Sequence, residues 1–228
     1  MGRRMLVVGL ATEGETDIRF LNDVVLRSIE HLVYTECSHD VDIFVNPIRA
    51  EKGETFGDYV RNSIRKGVEE FGMMALAMHS DSDKDSYEER FRHKFTPVFE
   101  SLKDNPAAGC DILIPIIPVR MTEAWMLADK ELFKEEIGSD DTDAELGLDK
   151  RLEAIADPKM LIENDLRMLA QKRSRKYDSV AISELYDILG SKVSVEKLSS
   201  LPSFIKFLDS VRDALTVLGY LNPSRSRN

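Results

Sequence analysis

Three short stretches concentrate the residues that could do chemistry. VVGLATEGETDIRF (residues 7–20) passes from an apolar run into an amphipathic one, with Glu13, Glu15 and Asp17 at the join. HSDSDKDS (residues 79–86) follows a second apolar run and carries Asp81, Asp83 and Asp85. VRMTEAWMLAD (residues 119–129) follows a third and carries Arg120 and Glu123. Crowded carboxylates repel one another and raise each other's pKa unless a cation sits among them. Mg²⁺ takes a few carboxylates and several waters and leaves positions for phosphate oxygens. Two aspartates at i and i+2, with a Glu from a neighbouring strand, suit Mg²⁺ or Mn²⁺. Soft ligands are missing: the two cysteines, Cys37 and Cys110, lie outside any CxxC, and the four histidines are scattered without HExxH spacing. Zinc and copper are disfavoured on that ground.

Each stretch also has a plainer reading. Thr16 and Asp17 can cap a helix, where a side-chain oxygen satisfies free N–H groups and negative charge suits the dipole. Residues 81–85 can be a solvated loop, and Thr122 with Glu123 another helix start. What favours a shared site is that all three fall at the ends of predicted strands. Parallel sheets gather function at the carboxyl ends of their strands. Asp17 stays open between capping the helix and holding a metal. Trp125 reads as core packing.

Known alternatives fail on particular residues. DSDKDS has aspartates at positions 1, 3 and 5 of an EF-hand loop, but Ser86 stands where Gly is required and Arg92 where the last Glu is required. Haloacid-dehalogenase-like phosphatases carry their DxD after the first strand, whereas here it follows the third. A receiver domain needs an acidic pair after its first strand and a Lys after a fifth, and no fifth strand is evident. Neither GxGxxG nor GxxxxGK[ST] occurs.

The elements that must position these residues alternate. Residues 5–11, 41–48, 73–78 and 110–119 read as strands, and the prolines of the last suggest a sheet edge. Ile18, Leu21, Val25, Ile29 and Leu32 recur at helical spacing, as do Phe56, Val60, Ile64 and Val68, closed by Gly72. A third helix covers roughly residues 87–102 and is bent or interrupted near Pro97. The expected class is α/β, a parallel sheet of about four strands flanked by helices. Residues 1–130 form that core, and residues 131–228 form a helical region packed on it. Residues 135–147, EEIGSDDTDAELG, read as a solvated acidic loop.

The chain has 228 residues, 43% hydrophobic and 32% charged, with a formal net charge of −10. That supports a folded core and argues against a bulk electrostatic grip on nucleic acid. Two local stretches are basic: QKRSRKYD (residues 171–178) carries Lys172, Arg173, Arg175 and Lys176, and Arg61, Arg65 and Lys66 lie on the second helix. They read either as solvated helix ends or as a phosphate-contacting rim with Arg120 and Lys84. No apolar run reaches the ~20 residues of a membrane helix. The opening MGRRMLVVGLATEGE reads as a first strand rather than a leader, so no membrane and a cytoplasmic protein are expected.

A Glu after strand one (ATEGETD) and a DxD after strand three (HSDSDK), in βαβαβαβ order, resemble the Toprim domain. That fold is shared by topoisomerases, primases, recombination mediators and nucleases of the overcoming-lysogenization-defect type. With VRMTEAWMLAD, DPK and LPSFIKFLDSVRDAL, the whole chain resembles an uncharacterised bacterial Toprim-like family, named only as a domain of unknown function. The resemblance implies Mg²⁺- or Mn²⁺-dependent phosphodiester hydrolysis of DNA or RNA, in phage defence or mobile-element biology. Carried over, Glu13 is the general acid/base and Asp81 and Asp83 are metal ligands. Asp17 assists, and Glu123 serves a second metal. A homodimer, or a partner encoded nearby, fits the same picture. No partner domain supplies a nucleophilic Tyr, and no zinc ribbon is present, which argues against strand passage and priming. The alternative is a non-catalytic Toprim module that binds nucleic acid or a protein.

Overall fold

The structure, a computed structural model, describes residues 4–104, 109–172 and 181–222. Four parallel strands, β1 (Arg4–Ala11), β2 (Val41–Pro47), β3 (Ala75–His79) and β4 (Leu113–Ile116), pair in the order β2-β1-β3-β4. Val8 stands opposite Val45 on one side and Ala75 on the other. Helix α1 (Glu15–Glu36) connects β1 to β2, and α2 (Phe56–Phe71) connects β2 to β3. The next crossover is α3 (Tyr87–Arg90), a π turn (Phe91–Phe95) and α4 (Thr96–Asp104) in continuous succession.

This order dictates where the helices lie. Parallel crossovers are right-handed. The chain steps from β1 outward to β2 and then back across to β3, so α1 falls on one face and α2 on the other. The step from β3 to β4 continues in the second direction, which puts α4 beside α2. One core accordingly joins Leu76 and Met78 to Val60, Ile64, Phe95, Val98 and Leu102. The opposite face has only α1, and the C-terminal region completes it. That region comprises α5 (Thr122–Met126), α6 (Lys130–Ile137), α7 (Pro158–Lys172), α8 (Ile182–Lys192), α9 (Val195–Leu198) and α10 (Pro202–Val217). The second core runs from Leu6, Val8 and Leu10 through Phe20 and Ile29 to Trp125, Leu185, Phe204 and Phe207.

Two seams of that core have local causes. Trp125 is fully buried edge-on to Phe204, with ring centroids 5.1 Å apart, and its indole N–H donates to Ser203 Oγ at 2.8 Å. At Gly190 a Cβ would stand 2.8 Å from Phe20 Cα, so only glycine lets α8 cross α1 this closely.

Some boundaries differ from the sequence reading. β3 starts at Ala75 and ends at His79, which puts His79 inside the strand. β4 occupies only Leu113–Ile116 of the apolar stretch, at the sheet edge, and Pro115 lies within it. Helix α2 runs from Phe56 to a left-handed Gly72, as its periodicity predicts. The interruption near Pro97 is a π turn just before it. Pro97 has no N–H for the carbonyl of His93, and the helix widens so that the Thr96 N–H bonds Phe91 O. The acidic stretch 135–147 is not a free solvated loop. Asp143 pairs with Lys130 and Lys134, Asp141 with Lys172, and Leu146 is buried. Among the described residues no helix is long and apolar enough to cross a membrane.

Candidate functional site

In the order β2-β1-β3-β4 the crossovers leave β1 and β3 in opposite directions, so a crevice opens between their carboxyl ends. Glu13 leaves β1 there, and Ser80 and Asp81 leave β3. Glu13 accepts a hydrogen bond from Ser80 Oγ at 3.0 Å through one carboxylate oxygen and is ion-paired with Lys94 through the other. Lys94 also donates to Ser80 Oγ at 3.0 Å, and its ammonium lies 5.0 Å from the Phe56 ring centroid. Lys52 Nζ donates to the Glu13 carbonyl at 2.7 Å. Glu13 and Lys94 keep 37% and 26% of their side-chain surface exposed, so this compartment is open to a ligand. Beside it lies a cavity of about 220 Å³ lined by Ile18, Arg49, Lys52 and Tyr59 among others. A roomier cleft of about 640 Å³ sits by His39 and Phe44, at the start of β2 and away from the strand ends that carry the carboxylates.

The neighbouring compartment is closed. His79 is fully buried, with Nε2 3.1 Å from Asp81 Oδ1 and 3.1 Å from Thr122 Oγ1. A carboxylate only accepts, so Nε2 carries a proton. Thr122 N donates to the same Asp81 oxygen at 3.0 Å. His79 Nδ1 faces Asp17 Oδ2 at 3.9 Å and has no hydrogen bond of its own. Burial opposes charging the imidazole, but the bond to Asp81 and the charges of Asp81, Asp17 and Glu13 outweigh it and raise its pKa. Burial raises Asp17 as well, with His79 opposing. Glu123 on α5 is buried and accepts the Tyr186 hydroxyl of α8; burial pushes both groups up.

The DxD pair divides. Asp81 turns inward to His79, whereas Asp83 turns outward and accepts from Arg90 at 2.8 Å, with Asp85 also near Arg90 at 3.5 Å. Asp83 and Arg120 are the two non-glycine residues with positive φ among the described residues, 54° and 61°, and they bind each other through Asp83 N to Arg120 O at 2.9 Å. Such strain clusters at functional edges. Arg120 thus stands at the edge, its guanidinium on the Asp83 carbonyl at 3.1 Å. Lys84 is exposed on the same loop. Lys172 is not at the crevice: it ends α7 paired with Asp141, while Lys159 at the other end of α7, ~20 Å away along the helix, acts on Asp17 and Glu123. Arg173 and Arg175 lie outside the described residues.

The strand-end carboxylates are hard oxygen donors, the type Mg²⁺ selects. As arranged, however, no three His, Cys, Asp or Glu side chains among the described residues form a metal-holding group. Glu13 is taken by Lys94, Asp81 by His79 and Asp83 by Arg90. The residues do not fit a preformed metal centre. Lys94, Ser80 and Tyr186 were not singled out from the sequence; Thr122 was read only as a helix start and His79 only as one of four scattered histidines.

Comparison with protein-family models, with curated proteins and with solved structures found no match for this chain.

Proposed function

We propose that the protein cleaves phosphodiester bonds of nucleic acid at the β1/β3 crevice, in the manner of a Toprim-like nuclease, with Glu13 as the proton-handling group. The observation that carries the reading is the open Glu13–Ser80–Lys94 compartment at the topological switch point of a parallel sheet. Ser80 and Lys94 fix the carboxylate of Glu13 from one side, and its exposed side is free to take a proton from an attacking water. Lys94, Lys52 and Arg120 supply positive charge near the same edge, which suits the phosphates of an incoming strand. No step is assigned to a divalent cation.

The test incubates the protein with single- and double-stranded DNA and RNA, with Mg²⁺, with Mn²⁺ and with chelator. Glu13→Gln and Asp81→Asn are run in parallel. The proposal expects wild-type cleavage and its loss in Glu13→Gln. It fails if wild type cuts nothing, or if both variants cut as well as wild type.

A second reading has its own support. Glu13 and Asp83 each already face a cation of the protein and Asp81 is bonded to His79, which suits a non-catalytic module that binds nucleic acid or a protein partner. Retarded migration of a nucleic acid without cleavage under any metal condition favours that module.

A further inference from the structure

Lys94 reaches Glu13 through a distortion of its own helix. The π turn at Phe91–Phe95 inserts one residue into the crossover before α4 and carries Lys94 onto the crevice. There the ammonium meets the Glu13 carboxylate, the Ser80 hydroxyl at 3.0 Å and the face of Phe56 at 5.0 Å. An ammonium has three donors. Two are spent on Glu13 and Ser80, and the ring covers a further side. The charge is therefore fixed rather than wandering in solvent.

We infer that Lys94 is the built-in counter-ion of Glu13, standing where a divalent cation would otherwise meet that carboxylate. The crevice then excludes metal from Glu13 by occupancy and by charge repulsion, although its carboxylates are of the type that binds Mg²⁺ and Mn²⁺. The inference concerns the same compartment as the proposed nuclease activity, but it does not require that activity.

The measurement is Mn²⁺ binding to the full chain at low salt, by calorimetry and by the electron paramagnetic resonance signal of free Mn²⁺. Wild type is expected to bind weakly. Lys94→Met removes the competing charge and should bind at least about tenfold more tightly, since a unit charge a few ångströms from a divalent ion is a large repulsion even in a watery site. Lys94→Arg keeps the charge and should behave as wild type. Adding Glu13→Gln to Lys94→Met should abolish the gain. Lys94→Gln provides a second neutral variant should Lys94→Met misfold, with circular dichroism and melting as the folding control.

The inference is overturned if a folded neutral variant binds Mn²⁺ no better than wild type. It is also overturned if wild type itself binds tightly through Glu13. Cleavage that depends on Glu13, without any gain in Mn²⁺ affinity at Lys94→Met, sinks this inference and leaves the nuclease reading standing. A gain in affinity with no cleavage does the reverse.

Discussion

The crevice treats negative charge in two ways. On the β1 side, Glu13 shares its carboxylate between a lysine and a serine and remains partly open to solvent. On the β3 side, Asp17, Asp81 and Glu123 close around a buried histidine, a threonine and a tyrosine. In the second compartment burial raises Asp17 and Glu123. The difference separates two jobs: the closed compartment is a structural joint between the sheet and the C-terminal helices, whereas the open one is where a ligand can touch charge.

Three substitutions test that division, and a fourth supplies a reference outside the crevice. The largest effect is expected at His79→Ala, which opens a cavity at a fully buried position and strips Asp81 and Thr122 of a hydrogen-bond partner. Each buried polar group left without its partner costs about 1–3 kcal/mol, and the cavity adds to that. Urea denaturation measures it, and a loss below about 1 kcal/mol would contradict a structural joint. Glu13→Gln should leave stability within about 1 kcal/mol, as for a half-exposed pair, yet reduce cleavage by about 10²-fold or more, the range for a proton-transfer group. Unfolding of this variant without a selective activity defect would reverse the two assignments. Tyr186→Phe deprives buried Glu123 of its donor and should destabilise by about 1–3 kcal/mol. The same variant should bind Mn²⁺ as weakly as wild type.

The smallest expected change is a gain, and it concerns a carboxylate outside the crevice. Asp165 on α7 is buried, and one of its oxygens has no hydrogen bond. Burial raises its pKa to about 6. The folded chain therefore holds this proton to a higher pH than the unfolded chain, whose Asp titrates near 3.9. Stability contributed by the protonated form is lost as pH rises through about 6. Asp165→Asn should thus raise the melting temperature at pH 7–8 by the equivalent of about 1–2 kcal/mol and have no such effect near pH 4. Equal gains at both pH values would show that charge burial is not the cause. A confirmed gain would also set the baseline for a buried carboxylate with no ion pair among the described residues, against which the crevice groups can be judged.

The sequence and the structure agree where the signal is local and periodic. Phe56, Val60 and Ile64 mark one helix face, Gly72 ends that helix in the left-handed conformation, and the prolines around β4 belong to a sheet edge. The convergence of Glu13 with the HSDSDK loop was legible from their places at the ends of two predicted parallel strands. The residues that neutralise those carboxylates were not. Lys94 is displaced by a π turn, so counting in steps of 3.6 misplaces it. Arg90 reaches back over the loop to Asp83 from the short helix that follows. Tyr186 arrives at Glu123 from a helix more than sixty positions away. Lys130, Lys134 and Lys172 tie down an acidic stretch that looks solvated when read by itself. Carboxylates announce themselves by type, but the cations that meet them are chosen by tertiary packing.

The loops after β3 and β4 stay bonded beyond the last strand residues. Ser80 N donates to Ile116 O at 3.0 Å, Ser82 N to Pro118 O at 3.1 Å, and Asp83 N to Arg120 O at 2.9 Å. This side of the crevice is an anvil, stiffened by the sheet's own ladder carried past its end. The turn after β1, by contrast, is held mainly by side chains: Lys52 on the Glu13 carbonyl and Tyr59 on the Thr12 carbonyl. Any fitting of the crevice to a guest therefore falls to the jaw that carries Glu13, while the opposite jaw sets the shape to be matched.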